Sequence, residues 1–256
     1  MQTYENYEET SNTADADCCN DDEHVLHLWQ PFKFITPESY DYVRDRFDQR
    51  FGTFLLRTFA ILVLEIYNRA TFGYSIKGRE NLKALQSGAV TICNHIHPMD
   101  CTMINMPLYE KRLYYLTLES NFRIPLVRHI IRAFDAVPCP SRAHCMNEMF
   151  CAMRKAVEEG SFVQIYPEGS LIPYCKKLRK FKNGAFRMAV EADAPILPMV
   201  ITQTPPSGLY GLYKKKPCLT LNILPPVYPD VTIQSQTERI ETLKRQCFDA
   251  MNMCLR

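Results

Sequence analysis

Short apolar runs rich in β-branched and aromatic residues recur along this chain, separated by stretches with helical periodicity. The runs that we predict as strands lie at 88–93, 113–118, 162–166 and 196–201, with the last strands within 219–227. A closing helix is predicted over 236–255, where apolar residues form one stripe. Strands that alternate with helices indicate an α/β sheet with helices on its faces. With 256 residues, the chain suffices for one large α/β domain, with or without an appendage.

The first 72 residues differ in composition from the rest. Residues 1–23 contain eight acidic residues and no Lys or Arg, which predicts a disordered acidic tail. Residues 24–72 are predicted to form a helical N-terminal segment, with a helix over 37–67 that breaks at Gly52. Within it, 54–66 is apolar apart from two charged residues, so it suits either a membrane interface or a core helix. No stretch of the sequence is apolar enough to predict a membrane-spanning helix.

Charge and cysteine usage narrow the function classes. The net charge of +2 averages the acidic start with a basic body, which suits anionic lipid, a phosphorylated substrate or nucleic acid. No nucleic-acid-binding module is recognisable, and the basic residues lack interleaved aromatic residues, so nucleic acid is not an expected partner. Eleven cysteines without metal-type spacing are typical of reduced thiols in a cytosolic protein.

Residues 94–100 follow a predicted strand and place His95 five positions before Asp100. Pro98 suits the first turn of a helix, so Asp100 is expected at a helix N-terminus close to His95. A carboxylate there can hold one ring nitrogen of the imidazole and leave the other as a base. The alternative is an exposed histidine beside an unrelated helix-terminal aspartate.

Two further segments carry polar residues after predicted strands. A proline-rich loop over 135–142 ends in Arg142, whose guanidinium can bind a phosphate through two hydrogen bonds. The segment Tyr166-Pro167-Glu168-Gly169-Ser170 places a glutamate where it can bind a hydroxyl, and Gly169 lets backbone N–H groups approach an anion. The basic residues that follow are Lys176, Lys177, Arg179, Lys180 and Lys182. Taken alone, Arg142 is more typical of a surface arginine, and the basic run is more typical of a solvated loop.

Together, these segments resemble the glycerolipid (lysophospholipid) acyltransferase family, which carries the HxxxxD motif and includes the 1-acyl-sn-glycerol-3-phosphate acyltransferases. The first family motif, N-H-x-x-x-x-D, matches Asn94, His95 and Asp100. Residues 134–142 match the second motif in its aromatic residue and final arginine but lack its usual glycine. Residues 166–170 match the F-P-E-G-T-R-S motif, and 194–200 match the fourth, an apolar strand with an internal proline.

The resemblance implies a catalytic domain over 73–256, built as a mixed, largely parallel sheet flanked by helices. It implies acyl transfer from acyl-CoA or acyl carrier protein to a lysophospholipid hydroxyl in phospholipid biosynthesis, with 1-acyl-sn-glycerol-3-phosphate as the first candidate acceptor and phosphatidic acid as product. His95 would be the base and Asp100 its partner. The substrate-binding residues would be Asn94, Arg142, Glu168, Gly169 and Ser170. No metal or cofactor is implied, and we expect peripheral or monotopic association at the cytoplasmic face of a membrane.

One departure from the family pattern affects the expected acceptor. The family arginine after E-G-T is Leu171 here. Either Lys176, Lys180 or Lys182 replaces it, or the acceptor is another lysolipid or another hydroxyl or amine.

Three hypotheses outside this family remain at this stage. His95, His97 and Asp100 resemble part of a metallo-hydrolase ligand set, although the spacing is one residue too long. Cys93 and Cys101 flank the motif, and either could act as a thiol nucleophile. A lipid-binding protein without catalysis would use the same basic and apolar surfaces.

Overall fold

Seven strands form one sheet in the computed structural model, which describes residues 33–43, 47–125 and 127–256. The strands are β1 Ser75–Lys77, β2 Ala89–Cys93, β3 Leu113–Leu118, β4 Ala136–Cys139, β5 Phe162–Ile165, β6 Ile196–Thr204 and β7 Cys218–Ile223. Their order across the sheet is β1-β7-β6-β2-β5-β3-β4. All neighbouring pairs are parallel except β6 and β7, so the predicted mixed, largely parallel sheet is confirmed.

Helices cover both faces of this sheet. They are α1 Phe47–Phe72, α2 Asp100–Asn105, α3 Val127–Ala133, α4 Ala143–Glu158, α5 Gly184–Glu191, α6 Leu209–Tyr213 and α7 Gln236–Leu255. Two 3₁₀ helices lie at Arg79–Ala84 and Glu119–Arg123. β2 is buried throughout because its side chains alternate between two cores. Val90 and Ile92 join the core formed with α4, α5 and α7, whereas Ala89 and Cys93 join the core formed with α1 and α2.

The N-terminal segment differs from its prediction in two ways. Residues 33–42 are not helical, and the helix runs over Phe47–Phe72 without a break at Gly52. A glycine inside a helix costs only about 1 kcal/mol, which a 26-residue helix tolerates. The acidic segment 1–23 lies outside the described residues. None of the helices in the described part of the chain has the length and apolar content needed to span a bilayer.

The buried carboxylate of Glu119 holds the segment around Thr36 in a non-helical conformation. Glu119 Oε1 accepts the backbone N–H of Thr36 at 2.8 Å and the hydroxyl of Thr36 at 2.5 Å. Glu119 Oε2 accepts the N–H and hydroxyl of Ser141 at 3.3 and 3.0 Å. The ring of Phe34 stacks on Phe122 at 5.1 Å between centroids. These contacts hold the segment against the loops that follow β3 and β4.

We expect Glu119→Gln to lower the free energy of unfolding by about 1–3 kcal/mol near neutral pH, because the amide N–H₂ faces donors on Thr36 or Ser141. Burial alone would raise the pKa of Glu119, but the four hydrogen bonds outweigh it and hold the pKa below its usual value. The carboxylate therefore stabilises the fold above the unfolded pKa of about 4.3, and this contribution disappears as the pH falls through the lower, folded value.

Denaturant unfolding of both proteins across the acidic range checks this prediction. The native chain should lose more stability than Glu119→Gln as the pH falls below about 4–5. Identical pH dependence in the two proteins would contradict the assigned role of Glu119.

Candidate active site

His95 and Asp100 face each other across the turn between β2 and α2. His95 Nδ1 lies 3.1 Å from Asp100 Oδ2, and the same oxygen accepts the backbone N–H groups of Ile96 and His97 at 2.9 Å each. The Asp100 side chain is fully buried, whereas that of His95 is 22% exposed. A carboxylate fixed in this way favours the proton on Nδ1, so Nε2 is the basic atom. The sequence prediction that these two residues pair is thus matched by the geometry.

The ring of Tyr166 covers one face of the His95 imidazole. Its centroid lies 3.9 Å from that of His95, and the two ring planes differ by 12°. Burial raises the pKa of the Tyr166 hydroxyl, so the ring stacked on His95 is neutral. Asp100 therefore sets the position of the imidazole and Tyr166 sets its plane. Sequence reasoning had treated Tyr166 only as part of a motif.

A buried ion pair supports the loop after β5. Arg179 Nη2 lies 2.8 Å from Glu168 Oε2, and the two side chains are 4% and 1% exposed. Arg179 Nη1 donates to the hydroxyl of Ser170 at 2.6 Å, and Nη2 donates to the Ser170 carbonyl. Glu168 Oε2 also accepts the backbone N–H of His95 at 3.4 Å. The pair therefore ties this loop to the turn that carries His95.

The effect of burial on the pKa of Glu168 is only partly offset by the nearby guanidinium of Arg179. Burial raises the pKa of the Glu168 carboxyl, although Arg179 opposes the shift. The sequence signal for Arg179 was weak, because it is the one arginine in a run of lysines at 176–182. A planar guanidinium suits a site with several fixed acceptors better than an ammonium group does.

Gly169 allows a tight turn beside a lysine. Its φ is +80°, and a Cβ there would lie 2.8 Å from Nζ of Lys182. The N–H of Gly169 donates to the carbonyl of Tyr166 at 3.0 Å, so it is already used within the turn. The structure thus places the side chain of Lys182, one of the three lysines considered as a replacement for the family arginine, beside this turn.

Arg142 lies at the same edge of the sheet but away from His95. It follows β4, which is three strands from β2, so the two residues are separated by roughly 14 Å at the usual strand spacing. Arg142 Nη1 lies 3.2 Å from Glu38 Oε1, and Nη2 donates to the carbonyl of Thr36 at 2.5 Å. Asp135, at the turn before β4, has a φ of 57°, a conformation that glycine favours.

Asn94 is buried and uses its side chain within the fold. Its Nδ2 donates to the carbonyl of Ile201 at 3.0 Å, and its Oδ1 accepts the N–H of Ile201 at 2.8 Å. Both ends of the amide therefore join the end of β2 to β6. This pairing positions the neighbouring His95, whereas contact of Asn94 with a substrate remains a prediction.

His97 and Cys93 are close in sequence to the His95–Asp100 pair, and both side chains are buried. The ring of His97 packs between Phe72 and Tyr174, at 4.5 and 5.7 Å between centroids, and its Nδ1 accepts the N–H of Met99 at 3.1 Å. Burial lowers the pKa of His97, which keeps the ring neutral. Burial, with Asp100 and Glu168 nearby, raises the pKa of Cys93, which disfavours a thiolate nucleophile. Within 33–43, 47–125 and 127–256, no three His, Cys, Asp or Glu side chains form a metal-binding group.

Comparison with known proteins adds a family and a fold. A family model described as Acyltransferase matches residues 74–202, just over half of the chain. A chloroplastic 1-acyl-sn-glycerol-3-phosphate acyltransferase, BAT2 of Brassica napus, is 24% identical over 184 residues, which cover 70% of this chain and 51% of that protein. A 1-acyl-sn-glycerol-3-phosphate acyltransferase of Chlamydomonas reinhardtii is 28% identical over 137 residues, covering 51% of this chain and 39% of that one. The chain thus spans about half, or less, of the length of these curated relatives.

A solved structure with the same fold is the crystal structure of PlsC, a 1-acyl-sn-glycerophosphate (LPA) acyltransferase from Thermotoga maritima. It superposes with a TM-score of 0.53 at 22% sequence identity. The match covers 78% of this chain and 86% of that chain. The shared architecture therefore extends well beyond the turn that carries His95 and Asp100.

Proposed function

This chain belongs to the acyltransferase family, and from that premise we propose that it transfers a fatty acyl group from a thioester to a lysophospholipid hydroxyl. The donor is acyl-CoA or acyl carrier protein, and the acceptor that we favour is 1-acyl-sn-glycerol-3-phosphate, which yields phosphatidic acid. The observation that carries the proposal is the His95–Asp100 pair after the carboxyl end of β2, in which Nδ1 of His95 lies 3.1 Å from Oδ2 of Asp100. The proposed catalytic domain covers 73–256.

In the proposed reaction, Nε2 of His95 takes the proton of the acceptor hydroxyl as its oxygen attacks the thioester carbonyl. The C–O bond forms and the C–S bond breaks, and the imidazolium returns the proton to the departing thiolate. Asp100 stabilises the imidazolium through Nδ1. General-base assistance of this kind contributes roughly 10²–10⁴-fold, and alignment of the two substrates supplies much of the rest.

The cation proposed for the acceptor phosphate is Lys182. Its ammonium group lies beside Gly169, in the loop that Glu168 ties to the backbone of His95, whereas Arg142 follows β4, three strands from β2. Glu168, Ser170 and Asn94 act in this proposal by holding the turn and the loop, because their polar groups bind protein partners. In this proposal, Lys182 binds the phosphate in place of the family arginine, at whose position this chain has Leu171.

Product analysis tests the proposed reaction directly. Purified protein would be incubated with long-chain acyl-CoA or acyl carrier protein and a panel of lysolipids that differ in head group, and the products identified by mass spectrometry. We expect phosphatidic acid from 1-acyl-sn-glycerol-3-phosphate. Absence of any acylated product, combined with binding to lipid vesicles, would instead favour a lipid-binding protein without catalysis.

We also propose that segment 24–72 associates with a membrane surface at its cytoplasmic face. From residue 58 onward, α1 exposes Phe59, Leu62, Val63 and Ile66, which recur at helical spacing. A lysolipid acceptor resides in a bilayer, so a monotopic contact would bring the site to its substrate. Flotation with anionic vesicles tests this contact, and a Leu62→Ser/Ile66→Ser variant should float less.

Gly169→Ala should lower acyl transfer at least about tenfold while the protein stays folded. The added methyl group strains a left-handed residue by about 1–2 kcal/mol and displaces the Lys182 side chain. Rates measured against 1-acyl-sn-glycerol-3-phosphate, with unfolding curves, check this prediction. Gly160→Ala is the matched control, because Gly160 has a φ of +93° and no atom within 4 Å of an added Cβ. Equal activity losses in both variants would show that backbone strain alone is responsible.

A further inference from the structure

The loop between β6 and β7 exposes apolar side chains to an unusual degree. Within it, the short helix α6 carries Leu209 and Leu212, which are 79% and 82% exposed. Among the large apolar side chains whose exposure the structure describes, none is as exposed as these two, and Tyr213 beside them is 61% exposed. Side chains of this kind at a loop tip indicate a surface that is covered by something else.

This loop is fixed to the end of α1. The hydroxyl of Tyr213 donates to the carbonyl of Ala70 at 2.8 Å, and Nζ of Lys214 donates to the carbonyl of Thr71. Gly73 packs so closely on Cys218 that a Cβ at Gly73 would lie 2.5 Å from the sulfur. The apolar side chains of α6 therefore adjoin α1, whose exposed side chains include Phe59, Leu62, Val63 and Ile66.

The same region borders the turn that carries His95. Phe72, the last residue of α1, lies 4.5 Å from His97 between ring centroids. Nζ of Lys216 lies 5.9 Å from the ring of Tyr174, which packs against His97 at 5.7 Å. The loop and the end of α1 thus flank the site on the side where α1 and α2 cover the sheet.

Charge identifies the occupant of this surface. Lys214, Lys215 and Lys216 directly follow the apolar side chains of α6. Leucine and tyrosine next to consecutive lysines are typical of segments that insert into an anionic membrane interface, where each lysine near the surface adds attraction to the lipid phosphates. A second copy of the chain fits less well, because a two-fold contact through this loop would bring the same lysines together.

We propose that the β6–β7 loop is a second membrane contact, which inserts Leu209 and Leu212 into an anionic bilayer and brings the exposed Lys215, between Lys214 and Lys216, close to the lipid phosphates. Together with α1, it orients the catalytic turn toward the surface from which a lipid acceptor enters. The contact itself does not depend on the reaction, but its purpose rests on the proposed function.

Vesicle flotation of a Leu209→Ser/Leu212→Ser variant tests the proposal, with vesicles of phosphatidylcholine alone and of phosphatidylcholine mixed with phosphatidylglycerol. Both leucines are exposed, so the variant should fold like the unmodified chain. We expect roughly tenfold weaker binding of the variant to the mixed vesicles. Val231→Ser/Met253→Ser is the matched control, because these residues are 64% and 67% exposed and Met253 lies on α7, across the sheet from α1. The control should bind like the unmodified chain.

Several results would overturn the inference. Unchanged flotation of the leucine variant would do so, as would equal loss in the control pair. Equal binding of the unmodified chain to both kinds of vesicle would show that the lysines do not contact anionic lipid. Light scattering that shows a dimer, converted to monomer by the leucine substitutions without a change in flotation, would assign the surface to a second copy. Acyl transfer by the unmodified chain to a water-soluble short-chain acceptor tests the proposed function separately, so its failure leaves the membrane contact standing.

Discussion

Replacing His95 with alanine is expected to reduce acyl transfer at least about 10³-fold and to leave the fold intact, because the variant lacks the base that we propose for the acceptor hydroxyl. The His95 side chain is 22% exposed, so its removal opens no cavity in either core. Initial rates with acyl-CoA and lysophosphatidate, together with circular dichroism and denaturant unfolding, check both parts. Turnover close to that of the unmodified chain would rule out His95 as the base.

Two companion variants sharpen this result. Asp100→Asn keeps the size of the side chain but removes the charge that stabilises the imidazolium, and we expect a loss comparable to that in His95→Ala. His144→Ala is the control, because its ring is 76% exposed on α4 and pairs only with Glu148 among the ion pairs of the described chain. That variant should retain full activity.

Arg179→Met is expected to lower the free energy of unfolding by about 3–5 kcal/mol, because it leaves Glu168 buried without a cation. Glu168 and Arg179 are 1% and 4% exposed, so water cannot compensate for the lost partner. Ser170 also loses two hydrogen bonds from the guanidinium. Urea unfolding measures the loss, and acyl transfer should fall with it, since Glu168 also binds the backbone of His95.

An exposed ion pair of the same kind provides the control. Arg187 pairs with Glu191 on α5 and is 57% exposed, so Arg187→Met should cost no more than about 1 kcal/mol. The double variant Glu168→Gln/Arg179→Met should recover part of the stability, because no unpaired charge is then buried. If Arg179→Met and Arg187→Met were equally stable, the buried pair would not organise the loop.

The sheet was predictable because its buried strands leave a local signal. β2, β3, β5 and β6 are short apolar runs that end at polar segments, and their alternation with helices predicted an α/β sheet correctly. The mixed, largely parallel arrangement was implied by the family resemblance. The helix predicted over 37–67 was wrong at its beginning, because the hydrogen bonds from Thr36 to Glu119 join residues 83 positions apart. No local pattern near Thr36 reveals such a partner.

In the candidate site too, contacts within one turn were predictable from the sequence, whereas contacts between distant residues were not. His95 and Asp100 lie within one turn, so their spacing alone predicted the contact. Asn94 was predicted to bind substrate, which stays a prediction; its pairing with Ile201, 107 positions away, could not be read from the local sequence. Arg179 was hidden among lysines, because only burial distinguishes it from its neighbours.

The short span of the catalytic pair has an evolutionary consequence. His95 and Asp100 belong to a single six-residue turn, whereas Lys182 and Arg142 come from loops after other strands. In the proposed reaction, substitutions in those loops can change which head group is accepted without moving the pair that transfers the proton. A lineage with this architecture can therefore explore new acceptors one loop at a time, and Leu171 stands where the family motif has an arginine.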